Sequence, residues 1–451
     1  MLQTFIKKLS RKLKKPLKNG NFMSLETLIK NKKAKVAIIG MGYVGLPHAV
    51  LMAKAGFSVA GIDIQKKRVD SLNKGKSYIG DVNDKELKEI IATKKFKAFD
   101  NFGPLKKADI VIICVPTPLD KNKIPDISYI QNSAKEIKNS IHKNQLIVLE
   151  STTYPGTTEE VLLPLFEDSG LKVGHDFYLA FAPERIDPGN KMPFSKIPKV
   201  VGGITKECTR LASLFYNQFL EKVFPVSSAK TAEMTKILEN TYRLVNIATI
   251  NELSLFCGKM GIDIWEVIEA ASTKPYGFTP FYPSPKAGGH CIPLDPFYLS
   301  YKGREYGFWS KFIELAGEIN EQMPHIVMTK VIWVLNLKGK SVRNSKVLVW
   351  GVSYKKDIAD TRESAAYDII ADLVRKGAKV EYFDPFVSQF RVKHRILKNK
   401  TVFLKSIKYS LKDLKKYDLV LILTDHSGFD YEKKARNTKL VVDTRNAVKS
   451  R

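Results

Sequence analysis

Cysteine is scarce in this chain of 451 residues: four, Cys114, Cys208, Cys257 and Cys291, stand far apart and form no C-x-x-C pair. That pattern argues against a disulfide-stapled secreted scaffold, and a reducing cytoplasmic compartment is expected. His290 adjoins Cys291, but no second ligand pair follows at zinc spacing, so no metal is expected. Acid is also short. The 46 Asp and Glu face 74 Lys and Arg, a net charge of +28, which would suit nucleic acid, an anionic membrane or phosphorylated substrates. No aromatic-interleaved basic motif accompanies it, so nucleic acid is not expected and most of the surplus reads as lysine on solvated faces. Apolar runs long enough to span a membrane are missing. The first 22 residues, "MLQTFIKKLSRKLKKPLKNGNF", contain no acid, and Leu2, Phe5, Leu9 and Leu13 recur at helical spacing. Weak contact with an anionic membrane surface is one reading of that segment; a dispensable extension before Met23 is the other. Its apolar stretches are too short for a signal peptide.

With 44% apolar and 27% charged residues the chain reads as globular, and its length calls for two or three domains. "KVAII" (35–39) is a short β-branched run that ends in "GMGYVG", continues into the helical "LPHAVLMAKAG" and is followed by "SVAGIDI", which ends on Asp63. Further strands are expected in "ADIVIICVPTP", "QLIVLEST" and "DFYLAFAPE", giving a parallel sheet covered by helices over roughly the first 200 residues. Between Ser228 and Met260 no Gly or Pro occurs until Gly258, and apolar residues recur at helical spacing, which predicts one long helix. The βα rhythm then resumes in "KVLVWGVSYKKD", "KVEYFDP", "YDLVLILTD" and "KLVVDTRN". The expected fold is α/β, two Rossmann-like parallel-sheet domains joined by a central helical domain. The boundaries are a basic extension (1–34), a dinucleotide-binding domain (35–205), a helical domain (206–325) and a second α/β domain (326–451). Only one glycine, Gly351, follows the first strand of the last domain, which points to a ligand other than a dinucleotide.

Gly40, Gly42 and Gly45 form G-x-G-x-x-G between a strand and a helix, with Asp63 about twenty residues on. The glycines permit a tight turn, close pyrophosphate approach and close helix packing, and the helix N-terminus offers free N–H groups to the phosphates. Tyr43 and Val44 lie inside that turn. Asp63 suits a ribose 2′-hydroxyl and therefore NAD over NADP, a preference that Lys66, Lys67 and Arg68 blur slightly. In "GGHCIPLDPF" (288–297), Cys291 sits in a loop shaped by Gly and Pro, with Asp295 four residues on. Structural thiol, metal ligand and nucleophile are the three choices, and missing ligand spacing weakens the second. A nicotinamide cofactor gives the third a purpose, since taking an alcohol through an aldehyde to an acid is easiest by way of a thioester. A thiol with a free pKa near ~8.5 needs a nearby cation, which Lys236 in the long helix could supply; Asn240 lies one turn further on the same face.

"GMGYVGLP", "VPTP", "APER", "KILEN", "GGHCIPLDPFYL", "YKKDIADTRES" and "VDTRN", in that order, make the chain resemble the nucleotide-sugar 6-dehydrogenases from Lys35 to its end. The resemblance implies a four-electron oxidation of a UDP-sugar C6 alcohol to a uronic acid with two NAD, by a homodimer or higher homo-oligomer built on the long helix. It makes Cys291 the nucleophile, Asp295 its partner in water activation, Lys236 and Asn240 the holders of the C6 oxygen, and Glu184 a proton-transfer assistant. Thr117 and Thr152 fall at the nicotinamide end, Arg68 beside the ribose, and Arg362 within reach of phosphates. Lys355, Lys356 and Asp357 fall in the UDP-binding part, and Gly288 and Gly289 would let substrate approach. "PERIDPG" places Pro188 where UDP-glucose enzymes usually carry a second glutamate, and with "GGHCIPLDPFYL" it resembles most the UDP-N-acetylglucosamine 6-dehydrogenases of surface-polysaccharide synthesis. Arg185, Ile186 and Arg243 would then meet the N-acetyl sugar, with Arg185 or Arg243 as donor to its carbonyl. UDP-N-acetylmannosamine and UDP-glucose are the alternatives within the class, and a nucleotide-binding regulator without turnover is the alternative outside it.

Overall fold

The computed structural model describes residues 23–449 apart from Asp81, Lys121, Pro188, Asn190, Lys191 and Asn399. The basic segment 1–22, with its expected amphipathic helix, lies outside the described residues. Within the stretch that follows, Leu25–Lys30 is a short helix capped by Ser24, and its Leu25 and Ile29 are buried in the core of the first sheet.

That sheet has eight strands in the order β3-β2-β1-β4-β5-β6-β7-β8. They run Lys35–Ile39 (β1), Ser58–Ile62 (β2), Phe96–Phe99 (β3), Ile110–Ile113 (β4), Gln145–Leu149 (β5), Phe177–Phe181 (β6), Lys199–Gly203 (β7) and Val223–Pro225 (β8). Every residue of β4 and β5 is buried, as expected of central parallel strands covered on both faces. The first six strands pair parallel, and the order reverses between β1 and β4, the crevice where such sheets take ligands. The expected parallel run stops at β6. β7 pairs antiparallel to β6, and among the described residues the segment joining them contains no α-helix that could carry a parallel crossover.

The long helix runs Ala229–Met260, from an N-cap at Ser228, whose hydroxyl accepts from the Thr231 N–H, to Gly261 at φ 72°. Its buried face carries Ala232, Lys236, Asn240, Leu244 and Ala248; its other face exposes Leu238, Tyr242, Leu253 and Phe256. The helix Lys311–Asn336 packs along it, and Asn251 donates to Asn320 at 2.9 Å across that contact. The last region holds a four-stranded parallel sheet, β10-β9-β13-β14: Lys346–Trp350 (β9), Lys379–Phe383 (β10), Leu419–Ile422 (β13) and Val441–Asp443 (β14). A separate antiparallel pair, Gln389–Lys393 (β11) with Thr401–Lys405 (β12), stands beside it. The chain thus contains two parallel-sheet units with a helical region between them.

Candidate active site

The glycine-rich turn follows β1 at the reversal of strand order. A Cβ on Gly40 would lie 2.4 Å from the Cys114 carbonyl oxygen, and one on Gly45 would lie 1.9 Å from the Gly40 carbonyl oxygen, so these two serve the turn and the helix packing. A Cβ on Gly42 would meet nothing within 4 Å, which leaves open space above the N-terminus of the helix Gly45–Lys54. That is the division of labour a pyrophosphate requires. Asp63, buried at the end of β2, receives the Met41 N–H at 3.1 Å and the Gln65 N–H at 2.8 Å, and Arg68 stands 3.3 Å away. The residues present fit a dinucleotide. Tyr43 is exposed on the turn, and the Arg362 guanidinium of the C-terminal unit lies 4.6 Å from its ring centre. Val44, beside it, is half-buried.

The cysteine loop comes next. Gly289 donates its N–H to the Arg362 carbonyl at 3.0 Å, and a Cβ on Gly288 would fall 2.6 Å from Tyr354 Cβ. The expectation that these glycines open a path for substrate is therefore modified, since the space beside them is filled by Tyr354 and they let the loop dock against the C-terminal unit. After Cys291 the chain turns at once into the helix Asp295–Glu305, with the Asp295 N–H donating to the Cys291 carbonyl at 2.8 Å. Asn240 donates to the Asp295 carboxylate at 2.6 Å, and Lys236, one turn earlier on the long helix, is buried with them. Four of the expected residues thus converge from two helices and one loop.

Burial pushes the Cys291 thiol up to about 12, and the Asp295 charge adds to it while Lys236, Arg362 and Arg243 pull the other way. Burial likewise raises Asp295 to about 7, against the pull of the Lys236 charge and the Asn240 hydrogen bond. The resting pair is a thiol beside a carboxyl poised near neutrality, the setting in which a carboxylate can take a proton. His290 Nδ1 lies 2.7 Å from Cys291 Sγ, and burial followed by the Arg362 charge lowers the imidazole to about 4, so it is neutral. The sequence reading weighed His290 only as a metal ligand; its adjacency to the thiol was the available signal for a hydrogen-bonding role.

Glu184 follows β6, and both its oxygens are engaged: Oε1 accepts the N–H groups of Arg185 and Ile186 at 2.7 and 2.9 Å, while Oε2 lies 2.6 Å from His48 and 2.9 Å from Lys199. Burial opposes its charge, but Lys199 and His48 hold it well below the usual carboxylate range. Arg185 forms a two-point pair with Glu239 of the long helix, at 2.6 and 3.2 Å, and donates to the Pro198 carbonyl. Asp187 pairs with Lys355 at 2.8 Å, joining this loop to the C-terminal unit. The Thr117 carbonyl accepts from the buried Tyr298 hydroxyl, Thr152 is half-buried past the end of β5, and Arg243 is exposed. Glu239 and Tyr298 escaped the sequence reading because each acts across the fold. His48, Cys114 and Glu150 bring ligand atoms within 4.8 Å of one another, but the Lys199 ammonium stands 3.3 Å from Glu150, a poor neighbour for a metal cation.

A cavity of about 420 Å³ opens at the C-terminal ends of β9 and β13, between the C-terminal unit and the segment leading to the cysteine loop. Trp265 and Tyr282, stacked at 5.8 Å, form one wall; Lys355, Lys356 and Arg445 supply positive charge, and Tyr354 connects it to Gly288. Asp357 is turned to Ser427, accepting its N–H and its hydroxyl at 2.7 and 2.6 Å. Stacked aromatics and cations suit a base and its phosphates.

Residues 34–220 match the NAD binding domain model of the UDP-glucose/GDP-mannose dehydrogenase family, residues 230–322 its central domain and residues 348–450 its UDP binding domain. The chain is 38% identical over 360 residues, 79% of its length and 84% of the relative's, to the UDP-N-acetyl-D-glucosamine 6-dehydrogenase of Pseudomonas aeruginosa. It is 34% identical over 443 residues, 93% of its length and 94% of the relative's, to the UDP-N-acetyl-D-mannosamine dehydrogenase of Methanococcus vannielii. Among solved structures it is similar to a UDP-D-ManNAc dehydrogenase from Pyrococcus horikoshii, with a TM-score of 0.83 and 31% identity over 92% of this chain and 96% of that one.

Proposed function

The chain belongs to the UDP-glucose/GDP-mannose dehydrogenase family and is an NAD-dependent UDP-sugar 6-dehydrogenase; we propose that its sugar is an N-acetylhexosamine, first UDP-N-acetylglucosamine, oxidised for surface-polysaccharide synthesis. The observation that carries the class is the convergence of Cys291, Asp295, Lys236 and Asn240 beside a cavity lined by stacked aromatics and cations. The sugar rests on the "PERIDPG" and "GGHCIPLDPF" motifs and on the Pseudomonas relative. UDP-N-acetylmannosamine is the second reading, favoured by the methanococcal relative and the Pyrococcus structure.

Two NAD are consumed in turn, each of which, when bound, would accept one hydride. The glycine-rich turn seats its pyrophosphate and Asp63 accepts from its ribose. The cavity holds UDP through Trp265 or Tyr282 and the Lys355, Lys356 and Arg445 charges, while Arg185 and Arg243 stand as candidate donors for the N-acetyl carbonyl. Lys236 and Asn240 stabilise charge on the C6 oxygen. Cys291 adds to the C6 aldehyde as its proton passes to Asp295 and the C6 oxygen is protonated, the thiohemiacetal gives up its hydroxyl proton with the second hydride, and Asp295, its proton released to solvent, activates the water that hydrolyses the thioester and returns the thiol. The exposed apolar residues on the long helix, Leu238, Tyr242 and Phe256, together with Phe312 and Trp333 on its neighbour, suit pairing with a second copy. A panel of UDP-sugars read by NADH release tests the reading: an N-acetylhexosamine substrate yields two NADH per uronic acid, and activity confined to UDP-glucose would overturn the choice of sugar.

A further inference from the structure

His48 lies one turn into the helix that follows the glycine-rich turn, and it is 3% exposed. Its two ring nitrogens face two carboxylates from different strands: Nδ1 is 2.7 Å from Glu150, past the end of β5, and Nε2 is 2.6 Å from Glu184, past the end of β6. The Nδ1 contact is a close ion pair, which acts through charge at 2.7 Å. A neutral imidazole always presents one bare lone pair, which here would face an ionised oxygen; with acceptors on both sides, His48 belongs in its doubly protonated form. Lys199 on β7 is the second cation, 3.3 Å from Glu150 and 2.9 Å from Glu184, and the Tyr216 hydroxyl donates to Glu150. Two anions and two cations make a buried set without net charge, as burial of ions requires.

We propose that His48 is a positioning residue for the sugar-handling loop: it ties Glu184, and through it the Arg185–Ile186 turn, to the helix that seats the cofactor. The geometry gives Glu184 this part because its other oxygen already holds the N–H groups of Arg185 and Ile186. Loosening Oε2 frees the whole carboxylate to move, and the turn with it. The same oxygen keeps Lys199, so the loop shifts in place of collapsing. The inference rests on the proposed role of residues 184–186 toward the sugar.

The test uses the full-length enzyme with UDP-N-acetylglucosamine and UDP-N-acetylmannosamine as probes, by calorimetric titration of each and of NAD alongside turnover. Calorimetry needs no catalysis, so a wild-type enzyme that releases no NADH would sink the dehydrogenase reading without deciding this one. His48→Leu is expected to weaken sugar-nucleotide binding about tenfold or more, the scale of a lost charge-assisted hydrogen bond, while NAD binding changes less than about twofold on the same scale. His48→Gln, which keeps one donor, recovers part of the loss. Should His48→Leu fail to fold, the double variant His48→Leu with Glu150→Gln removes one charge of each sign and leaves Lys199 paired with Glu184; it too is expected to bind the sugar nucleotide weakly. Unchanged sugar-nucleotide affinity in a folded variant overturns the proposal, and so does equal weakening of NAD, which would place the role of His48 in the glycine-rich turn alone.

Discussion

Adding one methyl group at each of two glycines in the same turn should separate folding from cofactor binding. On Gly45 the new carbon would stand 1.9 Å from a backbone oxygen that cannot move without dislocating the turn. Overpacking of a tight site costs about 1–3 kcal/mol, and with backbone as the obstacle the upper end applies. A melting temperature lower by roughly 5 °C or more is expected of Gly45→Ala. On Gly42 the carbon meets nothing within 4 Å, and the residue is not at positive φ, so Gly42→Ala folds with native stability or slightly better. Its methyl group occupies the space through which a pyrophosphate reaches the helix N-terminus. Losing one charge-assisted hydrogen bond there costs about 1.5–3 kcal/mol, roughly a 10- to 150-fold weaker NAD complex. Calorimetric melting and NAD titration of both variants read the two quantities separately. If Gly42→Ala binds NAD within twofold of wild type, or melts as low as Gly45→Ala, the division of labour within the turn is wrong.

Cys291→Ser is expected to stop uronic acid formation and the second NADH equivalent; two equivalents per sugar at near the native rate would remove the thioester from the mechanism. Asp63→Ala should weaken NAD far more than NADP, since Asp63 would repel a 2′-phosphate; equal losses measured by titration would sink its ribose role. The alkaline limb of stability belongs to His48. Burial opposes its charge, but Glu150 and Glu184 outweigh burial and Lys199 and raise it to about 9 from 6.5. Between those values the folded chain holds the extra proton, so this contribution is full below pH 6.5 and is lost as pH rises through about 9, on the order of 3 kcal/mol in all. Urea midpoints across that window should fall in wild type and fall much less in His48→Leu; parallel curves would refute the assignment.

Continuous apolar runs revealed β1, β2, β4, β5 and β6, and β9, β13 and β14 of the second sheet, because strands covered on both faces carry few polar interruptions; β10, "KVEYF", was legible from its place in the βα rhythm, although it exposes Lys379 and Glu381 at the sheet edge. The elements that escaped did so for different reasons. β3, "FKAF", sits at the sheet edge among lysines and buries Phe96 and Ala98 alone, while β7, "KVVGG", is buried throughout but begins on a lysine and ends in two glycines, a composition that does not read as a strand. β11, "QFRVK", alternates apolar and basic residues, β12, "TVFLK", is short and not fully buried at any position, and no Asn-Gly or Asp-Gly marks the turn between them. Local chemistry was easier to read. The glycine turn with Asp63, and Cys291 with Asp295, are close in sequence, and Lys236 with Asn240 share a helix face, so spacing alone indicated their company. Trp265, Tyr282 and Arg445 reach the cavity from segments far apart in the chain, and no spacing rule connects them.

Residues 184–187 carry the hardest lesson, because charge adjacent in sequence parts company in space. Glu184 and Arg185 alone resemble an exposed ion pair, yet Glu184 turns inward to His48 and Lys199, Arg185 to Glu239 on the long helix, and Asp187 to Lys355 on the C-terminal unit. Four consecutive residues therefore connect the dinucleotide sheet, the central helix and the nucleotide cavity. Each contact is a cation–anion pair whose two members lie far apart in the sequence, where spacing carries no information. On the proposed reading the consequence is mechanical: the segment that meets the sugar also fixes the three units around it. The substitution Glu239→Gln, at a position that neither adjoins Cys291 in sequence nor lines the nucleotide cavity, should then raise KM for the sugar nucleotide before it lowers kcat in steady-state assays, since it displaces the segment and leaves the thiol and its carboxyl in place.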